Sequence, residues 1–408
     1  MRRIFSARRY VFRPPVARSW VRPFGRLVNR VVHLGRKYHI NEIDENGFAA
    51  VAGLCRAGHS VMLAPNHSDH SDPHVLVETV ARHGLNPFFM GARELFEAHP
   101  IAAWALRHMG VFSVDRDGPD LAAIKTAISL LADAHEPLVV FPEGEIYHHH
   151  RRLDPLHEGP ASIILKAAAR VREGKSAFLV PVALSFHHQP EVAETFRDRL
   201  SALETRIGWL PRSAMETDAR IRRLATGVLA LKETEFLGRA GAGDIQQRLV
   251  SLCDDLLVEV EARCGRDAKA VTAPERVRAL RYRIRRKLLD EENPSPPAEK
   301  GIFLDDLDRI FTALQAHSYI GDLLADETID RRAEMIMKLE EDLFGFPNYP
   351  APRTVRVTAG EPIDVTALLA SGSLPRKGGS LALTEMLENR LTEMLQKTLA
   401  ARNHGDDF

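Results

Sequence analysis

The sequence predicts an α/β fold: a mixed sheet flanked by helices, with a large all-helical insertion before the last strand. Three observations predict it. Between residues 38 and about 206, short apolar runs alternate with stretches of helical periodicity. From residue 215 to 343 the pattern changes to long amphipathic helical segments, and residues 353–358 then alternate as a strand does. A lone strand after a helical block has to pair with something, and the nearest sheet is the first one. Residues 37–209 and 346–408 therefore read as one α/β domain, 210–345 as an insertion into it, and 1–36 as a separate basic segment.

The 408 residues are 45% hydrophobic and 27% charged, the composition of a folded chain with more than one unit. No run approaches the roughly 18 consecutive apolar residues of a spanning helix, so no transmembrane segment is expected. The 55 basic residues equal the 55 acidic ones, which argues against a uniformly basic nucleic-acid surface. Cys55, Cys253 and Cys264 are scattered without metal-ligand spacing, and a reducing, cytoplasmic compartment is expected.

Residues 1–41 hold eleven Arg or Lys and no Asp or Glu. The stretch lacks the apolar centre of about 7 to 15 residues that marks a secretory signal, so it is expected to be retained. Pro23 suits a first helical position, after which Phe24, Leu27, Val28 and Val31 fall on one face and Arg22, Arg26 and Arg30 towards another. That is the pattern of an interfacial helix, its apolar side in lipid and its arginines at headgroups, each worth about 1 kcal/mol on an anionic surface. A core helix behind a tail, or a transit peptide, shows the same pattern.

The strands are expected at 39–43, 60–64, 87–90, 111–114, 138–141 and 178–186, with helices between them such as 121–132 and 161–171. In the insertion, helices are expected at 221–237, 245–263, 274–289, 303–317 and 329–344, separated by the glycine-rich stretch 238–243 and the proline-rich stretch 293–297. The third is strongly basic, with seven Arg or Lys among residues 276–287. A solvated face is its expected role. A last helix is expected at about 381–400.

In open sheets, ligands bind beyond the carboxyl ends of strands. Three apolar runs end abruptly in polar residues: 60–64 before Asn66, His67 and Asp72; 110–114 before Asp115 and Arg116; and 138–141 before Pro142, Glu143 and Gly144. One shared cleft would hold His67, Arg116 and Glu143. A base and its orienting carboxylate must meet, yet five residues along a continuous helix turn one side chain about 140° from the other. Pro73 disfavours a helical Asp72 and suits a first helical position, so Asp72 falls at the N-cap and His67 folds back over the helix start. In that geometry Asp72 accepts from one imidazole nitrogen while the other takes a proton from a hydroxyl. Each motif alone has a plainer reading. Asp72 is then a helix cap, Arg116 a partner of its turn neighbours, and Glu143-Gly144 a turn.

Taken together, Asn66-His67 with Asp72, Gly110 through Arg116, Phe141-Pro142-Glu143-Gly144 and Val180-Pro181-Val182 resemble, in order and spacing, the four blocks of the glycerolipid acyltransferase superfamily. The likeness is to its 1-acylglycerol-3-phosphate acyltransferase branch, and Gly360 to Ile363 resembles the family's closing segment. The resemblance implies acyl-CoA or acyl-carrier protein as donor, a lysophospholipid acceptor at a membrane surface, and no cofactor or metal. It casts His67 as general base, Asp72 as its orienting partner, Arg116 as the ligand of an acceptor phosphate, and Glu143 with Gly144 as acceptor-binding. The same blocks carry Asn66, Gly110, Phe141 and Pro142 as substrate-binding positions.

One departure bears on the acceptor. Where the family commonly has Thr-Arg, Glu145-Ile146 follow Gly144, and 147–152 are a histidine-rich stretch ending in Arg151 and Arg152. A second carboxylate repels a phosphate unless Arg151 or Arg152 compensates. Two rival classes remain at this level. His67, Asp69, His70, Asp72 and His74, with His148 to His150, are dense enough to suggest a metal-dependent hydrolase. A non-catalytic membrane-surface protein would instead rest its function on the helical block.

Overall fold

The computed structural model describes residues 10–403 except 117, 119, 134, 190, 191, 291–294, 322, 325–327 and 376. The chain divides into two compact units, one of residues 11–188 with those from 352 on, the other dominated by 189–351.

The first unit is built on one sheet of β1 (Ile40–Asn46), β2 (Ser60–Pro65), β3 (Phe88–Ala92), β4 (Val111–Val114), β5 (Leu138–Val139), β6 (Ala177–His188), β7 (Arg353–Ala359) and β8 (Ile363–Asp364). The order is β1-β7-β6-β2-β5-β3-β4, with β8 also paired to β6. The run from β6 through β2, β5 and β3 to β4 is parallel. β7 lies antiparallel to β6 and parallel to β1, while β8 is antiparallel to β6. The central parallel strand β2 is buried along its whole length, as expected where helices cover both faces. Ile128 and Leu131 of helix Leu121–Asp133, Ile163 and Ile164 of helix Gly159–Ala168, and Leu383, Leu387 and Leu391 of helix Gly379–Asn403 form one core with Met62, Leu138 and Leu179. Each such buried side chain contributes about 1.5–3 kcal/mol.

Both sheet edges are managed. β1 reads Ile-Asn-Glu-Ile-Asp-Glu-Asn, with all but Ile40 exposed or half-buried, and charge discourages pairing with another chain. At the β4 edge, Arg13 N–H donates to Ser113 Oγ at 2.8 Å and Ser113 N–H to the Arg13 carbonyl at 3.0 Å, so the N-terminal segment covers the strand.

Helix Val21–Val28 starts two residues before Pro23 and continues as a π-helical stretch, Asn29–Lys37. Its arginines are tied to carboxylates of the protein, although Arg30 stays exposed. Arg26 and Arg30 both donate to Glu78, whose carboxylate is buried, and Arg22 reaches towards Glu136 at 3.9 Å beside the Phe88 ring. A buried carboxylate needs such partners to offset its lost hydration. The apolar side faces outwards: Trp20, Phe24, Leu27 and Val31 are exposed, as are Ile101 and Trp104 on the adjoining helix Pro100–His108. No helix among the described residues is long and apolar enough to cross a membrane.

The second unit consists of helices Ala193–Arg206, Thr217–Leu237, Ile245–Cys264, Ala273–Leu288, Pro297–Tyr319 and Ile329–Phe344. The first of these, read from the sequence as part of the α/β domain, packs on the second, where Glu204 and Arg220 form a fully buried pair joined by Arg223. The basic helix is a solvated face only in part: Arg278, Arg286 and Lys287 are exposed, but three other arginines are turned inwards. Arg276 binds Glu261 and Asp254, and Arg281 and Arg285 are buried.

Candidate functional site

Because β2, β3, β4, β5 and β6 run parallel, their carboxyl ends share one edge of the sheet. His67 follows β2, Arg116 follows β4, and Glu143 follows β5. Gly110 is not among them. It precedes β4, at the opposite edge, where φ of +97° turns the chain out of helix Pro100–His108. A Cβ there would sit 3.1 Å from the Pro87 carbonyl, so glycine serves the turn and not a substrate.

Asn66 begins the site by continuing the β2 ladder. Its N–H donates to Val182, and its amide both accepts from and donates to the Leu184 main chain, at 2.7 and 3.1 Å. His67 is thereby delivered at a fixed point off β6. Helix Asp72–Arg82 has Ser71 as N-cap, so Asp72 is its first residue and not the cap expected from Pro73. The folding-back is as expected: His67 Nδ1 lies 2.9 Å from Asp72 Oδ2, which also accepts the Asp69 N–H at 2.9 Å. The Phe141 ring stacks on the imidazole with centroids 3.9 Å apart, leaving Nε2 as the nitrogen turned away from Asp72.

Burial, followed by the charges of His70 and Arg116, pushes the His67 imidazole down to about 3. Burial and the neighbouring Asp69 push the Asp72 carboxyl upwards. Both directions favour a neutral imidazole, the form that can take a proton.

Glu143 stands beside this pair as a brace. Its Oε1 accepts the His67 N–H at 2.6 Å and its Oε2 the Asp154 N–H at 3.1 Å, tying the loops after β2 and β5 together. Burial pushes its carboxyl up to about 8, against the pull of those two donors. Pro142 accepts the His157 N–H, and Gly144 has φ of +73°, where a Cβ would meet His157 at 2.9 Å.

Asp115 accepts from the buried Arg93; Asp117 lies outside the described residues. The Arg116 guanidinium donates to the Gly144 carbonyl at 2.6 Å and meets Glu145 at 3.1 Å. Arg116 is thus a compensating cation for Glu145, and Arg152 reaches His149.

Of the dense histidines and aspartates, His67, Asp69, Asp72 and His74 belong to no group of ligand atoms close enough for one metal ion among the described residues, whereas His70 with His148, and His150 with His187, bring ligand atoms within 4.8 Å of each other. Asp69 is gripped by Arg353 and Ser71, which hold its carboxyl below the ordinary range despite burial. His74 shares hydrogen bonds with Asn29 and stacks on His33, while His70 packs against His148. His148, His149 and His150 are buried, not a solvated loop, and His149 is fixed by Asp154 at 2.8 Å and the Arg152 carbonyl. Sequence reasoning missed Arg93, which binds Glu97 four residues on and Asp115 22 residues on, and Arg353, whose partner Asp69 lies 284 residues away.

Residues 48–185 match the model of the family described as Acyltransferase. An 83-residue stretch is 34% identical to a 1-acyl-sn-glycerol-3-phosphate acyltransferase of Streptococcus pneumoniae, covering 20% of this chain and 29% of that protein. The chain therefore spans under a third of the length of this curated relative. The matched segment contains β2 to β5, most of β6, and His67, Asp72, Arg116, Glu143 and Gly144 in the arrangement just described. Residues 48–185 are thus an acyltransferase domain of the glycerolipid acyltransferase superfamily.

Proposed function

We propose that the protein is an O-acyltransferase that moves a fatty acyl group from acyl-CoA or acyl-carrier protein to the hydroxyl of a lysophospholipid or a glycerol phosphate-type acceptor. The observation that carries this reading is the 2.9 Å contact between a neutral His67 and Asp72 at the carboxyl edge of a parallel sheet. His67 Nε2 takes the acceptor's hydroxyl proton as its oxygen attacks the thioester carbonyl. The tetrahedral intermediate collapses to the ester and expels the thiolate, which takes the proton back from the imidazolium. Asp72 fixes the tautomer and stabilises the transient imidazolium. The step needs neither metal nor cofactor. Against the metal-hydrolase reading, Asp69 and His74 have other partners, and Arg116 and Glu143 would have no part to play.

Arg116 is the phosphate-recognising group in this reading. Glu145 competes for it, so an acceptor phosphate must displace or share that contact, which favours an acceptor other than lysophosphatidic acid. The exposed Trp20, Phe24, Leu27 and Val31 dock the protein peripherally on a membrane, on the inner face where acyl thioesters are available.

The test is transfer from acyl-CoA to a panel of lysolipids and simple alcohols, read by mass spectrometry. Wild type is expected to acylate at least one acceptor. His67→Ala is expected to lose at least about 100-fold in rate while membrane association stays unchanged. No transfer to any acceptor, or unaltered transfer by the variant, would remove the reading.

A further inference from the structure

We infer that Arg353, the first residue of β7, is a positioning residue of the transfer reaction, acting on the His67–Asp72 pair through Asp69. The inference rests on the acyltransferase reading of that pair. Arg353 lies outside the segment matched to the acyltransferase family, and its side chain is fully buried. Its guanidinium donates to Asp69 Oδ2 at 2.9 Å and Oδ1 at 3.1 Å, to Ser71 Oγ at 3.1 Å and to the Tyr38 carbonyl at 3.2 Å, with the Phe186 ring beneath it.

Asp69 in turn takes the Ser71 hydroxyl and N–H at 2.6 and 2.7 Å, so its carboxylate is saturated. The Asp69 N–H then donates to the same Asp72 oxygen that faces His67. A buried fork clamps residues 69 to 71, and the clamped main chain sets the Asp72 carboxylate towards the imidazole. A path of hydrogen bonds from Arg353 to Asp72 runs through Asp69 and its main chain, and the Arg353 charge also pulls the Asp72 carboxyl down, so Arg353 acts on the carboxylate that faces His67. The fork is what the position requires: a lysine could keep the charge but not the four donations in one plane.

Arg353→Met, Arg353→Lys and the charge-neutral double variant Asp69→Asn/Arg353→Met are compared with wild type by steady-state kinetics and by the ring nitrogen signals of His67. Arg353→Met is expected to lower kcat about 10- to 100-fold, the scale of a small misplacement of a reacting group, with both KM values within about twofold. Arg353→Lys falls between it and wild type. The double variant leaves no uncompensated charge, so it keeps the test decisive if Arg353→Met fails to fold. It too is expected to show a lowered kcat and a mixture of His67 tautomers where wild type shows one. A folded double variant with wild-type kcat and an unchanged His67 tautomer overturns the inference. Wild type inactive on every acceptor would sink the transfer reading instead, and the ring nitrogen signals would still decide whether Arg353 orients His67.

Discussion

A buried imidazole is useful as a base only while it is neutral, and the surroundings of His67 hold it there. With its pKa pushed down to about 3, kcat/KM is expected to show no acid limb near the ordinary imidazole value of about 6.5. A pH profile from 5 to 8 checks this. Arg116→Met removes one of the charges that depress His67 and should move any acid limb upwards. Glu143 makes the opposite kind of contribution to stability. Its folded pKa, about 8, is above the ordinary value, so the folded state holds this proton more tightly. Its contribution is full below about pH 4.5 and is lost as pH rises towards 8, at about 1.4 kcal/mol per pH unit. Denaturation of wild type and Glu143→Leu at pH 5 and pH 8 should show their difference shrinking or reversing with that sign. Gly144→Ala should cost about 1–2 kcal/mol or more, because φ is positive and His157 fills the space of a Cβ. At this scale the His67–Asp72 pair was legible because Pro73 constrains the chain locally. Arg353 was not, since a guanidinium's partner across a sheet leaves no mark in the residues beside it.

The elements follow the periodicity closely where one face is buried. β4 and helix Ile329–Phe344 match their expected bounds, whereas β5 is cut to Leu138–Val139 because the chain bends early to bring Phe141 over His67. The N-terminal helix shows the limit of such reading. Its two faces were legible, but which one meets the protein depends on Glu78, about 50 residues away, a partner that periodicity does not reveal. Glu78→Gln should therefore loosen the helix by about 1–3 kcal/mol, seen as faster proteolysis between residues 20 and 37. Phe24→Ser with Leu27→Ser should leave the fold intact and reduce cosedimentation with anionic vesicles several-fold. Unchanged sedimentation of the double variant would remove the membrane-docking reading.

Across the whole molecule, the sheet is finished by a strand that arrives late. The expectation that residues 353–358 rejoin the first sheet rested on the need of a lone strand for partners, and β7 does lie between β1 and β6. The helical unit was legible as helices, but its role is not, since its pairs, such as Arg220 with Glu204, serve its own core. A chain ending at residue 188 retains the whole matched acyltransferase segment but lacks β7 with Arg353. It should nevertheless be insoluble or inactive, which expression of residues 1–188 would show. β7 also has a consequence in time. Among the described residues β1 pairs with β7 alone, so Ile40 waits for Arg353, 313 residues later. At roughly 5–20 residues per second, a ribosome needs roughly 15 to 60 s to supply it. For that interval the nascent chain carries β1 unpaired, and from residue 188 on the open flank of β6 as well, an exposure that the finished sheet no longer shows.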